Sequence, residues 1–171
     1  VVGNTLNGSE NTHFGYIFGA HSYNENSQYV PESLKEIVVT GATDIAQYAF
    51  SDCIRLTTIT LLDSVTGICD AAFRGCTGLT SITVGNGVAN IGDAAFYGCT
   101  HLTSVTVGNS VTSIGDQAFK GCTGLATITL PDSVTSIGGS AFSGCTGLAT
   151  ITIPDSVTSI DSVLFMGCTG L

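Results

Sequence analysis

Seven cysteines give this chain its most obvious capacity for chemistry, because a thiolate can bind a metal, attack a substrate or form a disulfide. Six of them recur at intervals of 23 residues: Cys53, Cys76, Cys99, Cys122, Cys145 and Cys168. No pair has the Cys-x-x-Cys spacing typical of metal and redox sites. The fixed interval instead indicates a small, inward-facing apolar position in a repeated unit, with the thiols reduced and buried. The seventh, Cys69, lies off this pattern and is expected to be exposed or paired with a neighbour.

Acidic and amide side chains also recur every 23 residues, at two positions of the repeat that we call columns. Either calcium sites or repeated turns would explain them. One column contains Asp63, Asn86, Asn109, Asp132 and Asp155, and the other contains Asp70, Asp93 and Asp116. No Asp-x-Asp-x-Asp-Gly calcium loop is present, and single side chains 23 residues apart suit repeated Asx turns and helix caps. We therefore interpret both columns as structural. Asp93 and Asp116 are predicted to cap a single helical turn.

The three histidines, His13, His21 and His101, are scattered along the chain, and none is placed beside a nucleophile or a paired carboxylate. The sequence therefore predicts no catalytic residues, no bound cofactor and no metal site. The chain is not expected to be an enzyme.

One repeated unit must position all of these residues. Complete 23-residue copies cover 56–78, 79–101, 102–124, 125–147 and 148–170, and a shorter copy covers 34–55. Each copy opens with a segment such as Leu-Ala-Thr-Ile-Thr-Leu, in which apolar and β-branched residues alternate as they do in a strand. An Asp- or Asn-containing turn follows, then Val-x-x-Ile in extended form, then Ala-Phe-x-Gly-Cys-Thr.

A single copy of this length buries too little apolar surface to fold alone, so the copies must stack. The predicted fold is a right-handed leucine-rich-repeat solenoid with a parallel sheet on one side and short turns or helical turns on the other. We expect strands to begin near Leu34, Leu56, Leu79, Leu102, Leu125 and Leu148. Helix is expected only around the regularly spaced Phe residues.

The recurring run Ile-x-x-x-Ala-Phe-x-Gly-Cys-Thr-x-Leu, followed by Ile-Thr, Pro-Asp-Ser-Val-Thr-Ser-Ile-Gly, resembles the BspA-like family of leucine-rich repeats. The resemblance covers residues 34–171, and residues 1–33 are similar to an N-terminal cap or a divergent repeat with a loop insertion. It implies secretion, display at the cell surface and adhesion to a protein or another cell-surface ligand. The family has no catalytic residues to carry over. A structural spacer or scaffold array without its own ligand is the alternative.

The charge of the chain excludes several partners. Thirteen acidic and four basic residues give a net charge of −9, which repels nucleic acid and anionic membranes. The sequence lacks an apolar run of membrane-spanning length, and we expect no direct membrane insertion. The start, Val1-Val2-Gly3-Asn4, does not resemble a secretion signal, so the sequence predicts that any such signal has been removed.

Aromatic residues concentrate near the N-terminus, where residues 13–29 hold five of the thirteen in the chain. The segment between Phe18 and Leu34 is about ten residues longer than in other copies, which predicts a loop outside the coil. Phe14, Tyr16 and Phe18 are expected to serve the core, or the whole segment to close the end of the array as a cap. The candidate partner contacts are Tyr23, Asn24, Asn26 and Tyr29, with Tyr97 and His101 at positions that vary between copies.

End-to-end self-association through an open C-terminal edge is also predicted.

Overall fold

The computed structural model describes residues 21–41 and 44–171, and this part of the chain winds as a solenoid with strands on two sides of every coil but the last, which has one strand. The longer strands form one parallel sheet: β1 (Glu36–Val39), β3 (Thr58–Leu61), β5 (Ser81–Thr83), β7 (Ser104–Thr106), β9 (Thr127–Thr129) and β11 (Thr150–Thr152). The shorter strands form a second parallel sheet: β2 (Asp44–Ile45), β4 (Gly67–Ile68), β6 (Asn90–Ile91), β8 (Ser113–Ile114) and β10 (Ser136–Ile137). The predicted leucine-rich-repeat solenoid is confirmed.

The register of the strands follows the repeat length. Ile59 pairs with Ile82, and Ile82 pairs with Val105, each one repeat further along the chain. The shorter first copy gives an interval of 22 residues, so Ile37 pairs with Ile59. Each strand residue therefore lies beside its equivalent in the next coil, and equivalent residues form columns that run along the solenoid.

Aromatic rings and thiols fill the interior between the two sheets and the third side of each coil. Phe73 and Phe96 are fully buried, and their rings stack with centroids 5.2 Å apart and planes 4° from parallel. The six Phe residues of this column stack in the same way, at centroid distances of 5.1–5.9 Å. This column makes the core continuous from one coil to the next.

The third side of each coil, which carries the Phe column, consists of turns. Of the two predicted forms, short turns and helical turns, the structure has the short turn. A residue in the left-handed region prevents a helical turn: φ is +53° at Ala71, +51° at Ala94 and +58° at Gln117. Alternate backbone N–H groups then donate to the next coil, as Phe73 N does to the Ala95 carbonyl at 2.8 Å.

The prediction that Asp93 and Asp116 cap helical turns is wrong. Oδ1 of Asp93 accepts a hydrogen bond from the backbone N–H of Asp116 at 2.8 Å, and Oδ1 of Asp70 accepts one from Asp93 N at 2.9 Å. Each carboxylate thus binds the equivalent residue of the following coil. The column is structural, as predicted, but it joins coils rather than capping the turn that it belongs to.

Helix within the described residues is confined to the N-terminal segment, not to the Phe turns. A short 3-10 turn, Tyr23–Glu25, leads into a four-residue helix, α1 (Asn26–Tyr29). The helix ends at Tyr29 because Val30 precedes Pro31, and a residue before proline avoids the helical region. Val30 is accordingly extended, with φ −68° and ψ 123°, and its side chain is buried.

Candidate binding surfaces

Asn26 fixes the N-terminal segment to the first coil. Its side chain is fully buried, and Nδ2 donates a hydrogen bond of 2.7 Å to the backbone carbonyl of Ser51. The prediction that Asn26 is an exposed contact residue is therefore wrong: the extra length of the segment folds back onto the coil instead of projecting from it. An exposed ion pair of 2.6 Å between Arg55 and Glu32 joins the same two parts of the chain.

Tyr23, Asn24 and Tyr29 form a surface that we call the N-terminal patch. The ring of Tyr23 stacks on that of Tyr48, with centroids 4.3 Å apart and planes 13° from parallel, and remains 37% exposed. Tyr29 is 40% exposed, and Asn24 is exposed while its Oδ1 accepts a hydrogen bond from the Ser22 hydroxyl. The patch therefore presents two accessible phenol rings from a segment that Asn26 holds in place. The predicted residues Phe14, Tyr16 and Phe18 lie outside the described residues.

Tyr97 and His101 lie on the turn side of a coil two repeats beyond the one that carries Tyr48, so they do not join the N-terminal patch. The guanidinium carbon of Arg74 lies 5.6 Å from the centroid of the Tyr97 ring, within the range of a cation–π contact. His101 Nδ1 lies 2.7 Å from the carbonyl oxygen of Thr77. Because a carbonyl oxygen only accepts hydrogen bonds, Nδ1 is the donor in this contact.

The regularly spaced thiols contribute to packing and to contacts between coils. The five from Cys53 to Cys145 are fully buried, Cys168 is half-buried, and all seven cysteines are free. Burial raises the pKa of Cys76 to about 12, although a hydrogen bond with the backbone at Cys53 acts in the opposite direction. Burial and the nearby carboxylates of Asp44 and Asp70 also raise the pKa of the half-buried Cys69 thiol. A raised pKa keeps these thiols protonated, which disfavours nucleophilic and metal-binding roles.

Sequence reasoning missed one surface feature, a groove of about 670 Å³ that runs across the ends of β3, β5 and β7. Gly85 and Gly108 lie along it, whereas Pro131 and Pro154 take their place in the following two coils. That exchange of glycine for proline is visible in the sequence. The effect of that exchange on the surface cannot be read from the sequence, because the depth of the groove depends on how closely adjacent coils approach each other.

Within residues 21–41 and 44–171, no group of three or more His, Cys, Asp or Glu side chains could hold a metal ion. The same part of the chain has no helix of the length and apolar character needed to cross a membrane.

A stack of short coils with in-register parallel strands and an internal column of leucine, cysteine and phenylalanine defines the class of leucine-rich-repeat solenoids. The model of the BspA type leucine-rich repeat region matches residues 43–171 in six copies. The chain belongs to this family, as the sequence predicted. No curated protein matches the chain.

Solved structures of bacterial leucine-rich-repeat proteins are similar to the chain. A leucine-rich-repeat protein of T. pallidum is 32% identical, with a TM-score of 0.80 over 84% of this chain and 69% of that one. One from Bacteroides ovatus is 33% identical, with a TM-score of 0.75 over 80% of this chain and 38% of that one. A leucine-rich cell surface protein of Faecalibacterium prausnitzii is 35% identical, with a TM-score of 0.67 over 71% of this chain and 33% of that one. The chain thus spans between a third and two fifths of the latter two proteins.

Proposed function

We propose that the chain is a non-enzymatic module of an extracellular surface protein, and that it binds a protein or another cell-surface ligand through the N-terminal patch. The observation that carries this proposal is the pair of accessible rings, Tyr23 and Tyr29, on a segment anchored by the buried Asn26. Tyrosine supplies a large contact area at a low entropic cost, and a rigid base lowers that cost further. The surface location is supported by the similar cell surface protein of Faecalibacterium prausnitzii.

A structural spacer or scaffold is the alternative role. A spacer needs only stacked coils, and nothing in that role requires exposed aromatic rings at one end. The second pair of predicted contacts, Tyr97 and His101, also favours binding, because the side chain varies between copies at both positions while the strand positions are nearly uniform. We propose residues 1–33 as the end unit that carries the N-terminal patch, and 34–171 as the array that supports it.

Replacing Tyr29 with alanine tests the proposed role of the N-terminal patch. Because Tyr29 makes no aromatic stacking contact within residues 21–41 and 44–171, we expect Tyr29→Ala to lower binding to cultured epithelial cells and to solubilised basement membrane about tenfold while leaving Tm unchanged. Val38→Ala, which removes part of a side chain that is 54% exposed on β1, is the matched control and should bind normally. Equal binding by the two variants, or no binding by the parent chain, would favour the spacer role.

The last copy supports a further contact, between copies of this chain. Ile160, Met166 and Leu171 are each more than half exposed, and Val163 is 36% exposed. We propose that two copies of this chain associate through this apolar surface. Analytical ultracentrifugation of the chain and of an Ile160→Lys, Met166→Lys variant tests the contact: a dimer only in the parent chain supports it, and a monomer in both at about 100 µM excludes it.

A further inference from the structure

The groove across the ends of β3, β5 and β7 has a floor of closely packed backbone. Gly85 and Gly108 are buried, and a Cβ on Gly85 would lie 2.7 Å from the carbonyl oxygen of Leu61. A Cβ on Gly108 would meet the carbonyl oxygen of Gly85 in the same way. Glycine therefore allows adjacent coils to approach each other here, and leaves no side chain to fill the groove.

The lining of the groove presents hydrogen-bonding groups without a partner in residues 21–41 and 44–171. Asp63 Oδ1 accepts a hydrogen bond from Asn86 N at 2.7 Å, and Asn86 Oδ1 accepts one from Asn109 N at 3.0 Å. The second carboxylate oxygen of Asp63, Nδ2 of Asn86 and the whole side-chain amide of Asn109 have no partner among the described residues. All three side chains are exposed, and they recur one per coil, about 4.8 Å apart. They form a row of alternating acceptors and donors along the groove.

The groove is also lined by one threonine from each of β3, β5 and β7, namely Thr60, Thr83 and Thr106. Thr83 and Thr106 are exposed, and each hydroxyl can both donate and accept. Leu62 lies in the first of the three coils, 43% exposed, and gives that end of the groove an apolar surface. The groove therefore offers hydrogen-bonding groups from both columns, together with apolar surface that includes Leu62 at one end.

We propose that this groove binds a neutral polysaccharide, whose chain lies along the axis of the solenoid. Sugar hydroxyls both donate and accept, which matches the mixed row of Asp63, Asn86 and Asn109, and their C–H faces suit the surface of Leu62. The groove volume lies within the usual range for small-ligand sites. A net charge of −9 disfavours a polyanion.

A peptide suits the groove less well. The strands at its floor already pair with their neighbours on both sides, so a peptide cannot extend the sheet at β5 or β7. The lining also contains no aromatic side chain and no deep apolar pocket, which are the usual anchors of a bound peptide. Hydrogen bonds to hydroxyls, with contact between the apolar lining and sugar C–H groups, are therefore the interactions that this lining offers.

Nuclear magnetic resonance tests the proposal directly, because the side-chain amide groups of Asn86 and Asn109 give their own resonances. We would titrate the ¹⁵N-labelled chain with cellohexaose, laminarihexaose, maltohexaose and mannohexaose, and with polygalacturonate as the anionic comparison. At least one neutral hexasaccharide should shift both amide pairs. No shift with any of the four at about 10 mM, or shifts with polygalacturonate alone, would overturn the proposal.

Two pairs of variants then separate the groove from the rest of the surface. Thr83→Arg fills the groove and should abolish the shifts caused by the hexasaccharide, whereas Thr129→Arg, at the equivalent exposed position outside the groove, should not. Asn86→Asp keeps the acceptor for Asn109 N but removes the outward donor, and should weaken binding about tenfold. Asn90→Asp, the same change at an exposed asparagine outside the groove, should have no effect. Equal binding by both arginine variants would refute the site. Because these residues lie apart from Tyr23 and Tyr29, failure here leaves the proposed role of the N-terminal patch unaffected.

Discussion

The sulfur of Cys99 lies 3.1 Å from the carbonyl oxygen of Phe73 in the preceding coil, to which the thiol donates a hydrogen bond. The same carbonyl accepts the backbone N–H of Cys76 at 3.2 Å. Equivalent thiol bonds of 2.9–3.2 Å run from Cys76, Cys122, Cys145 and Cys168 to the Phe carbonyls one coil earlier. Five of the six regularly spaced cysteines thus fill the core and link adjacent coils.

Cys99→Ala should destabilise the fold by about 1–2 kcal/mol, since it removes a fully buried sulfur and its hydrogen bond. Urea unfolding monitored by circular dichroism measures the change. Cys69→Ala is the control, and it should cost less than about 0.5 kcal/mol because that thiol is half-buried and lies outside the regular column. A stability loss that is equal for the two variants would contradict the proposed role of the column.

The raised thiol pKa values predict that stability falls at high pH. In the unfolded chain a thiol ionises near its ordinary pKa of 9.0, whereas burial holds the pKa of Cys76 at about 12. The buried, protonated thiol therefore makes its full contribution to the free energy of unfolding below pH 9. For a thiol such as Cys76, that contribution is about 1.4 kcal/mol smaller at pH 10. Urea unfolding between pH 8 and 10 measures the slope. The slope should be smaller for Cys76→Ala, and an unchanged slope would contradict the prediction.

Ala94 has a φ of +51°, which an L-residue with a side chain adopts only at a cost. Ala94→Gly should therefore stabilise the fold by about 0.5–1 kcal/mol, the relief of strain exceeding the extra entropy of glycine in the unfolded chain. The neighbouring change, Ala95→Gly, should destabilise by about 1–2 kcal/mol because it removes a buried methyl group at an ordinary position. Thermal unfolding of the two variants compares them, and effects of the same sign would be evidence against strain at Ala94.

The carboxylate of Asp93 is predicted to act as a link between coils. Asp93→Ala removes the acceptor for Asp116 N and should cost about 0.5–1 kcal/mol, since the site is exposed and water replaces part of the bond. Asp93→Asn keeps an acceptor oxygen and should be close to neutral. Hydrogen exchange of the Asp116 amide gives a local readout: it should accelerate in the alanine variant only. Equal exchange in both variants would show that the bond contributes nothing.

The sequence by itself determined the architecture. A 23-residue period is longer than any strand or helix in it, so identical residues can only meet by stacking of coils. Alternation in segments such as 125–130 assigned the inward positions, and the buried Leu125, Ile128 and Leu130 agree with it. The buried column of cysteines followed from the same period. These features depend on local pattern and on repetition, both of which can be read along the chain.

Only the tertiary structure decided where the polar side chains find their partners. Asn26 bonds to the backbone at Ser51, 25 residues away, and nothing near Asn26 in the sequence reveals that contact. Asp93 was predicted to cap its own turn because capping is a local rule, but the left-handed Ala94 breaks that turn and the next coil supplies the donor. The groove beside Asn86 exists because two glycines let neighbouring backbones approach. In each case the partner lies on a different coil, and packing sets how closely the two coils approach. The hydrogen bond gained between coils outweighs the local alternative.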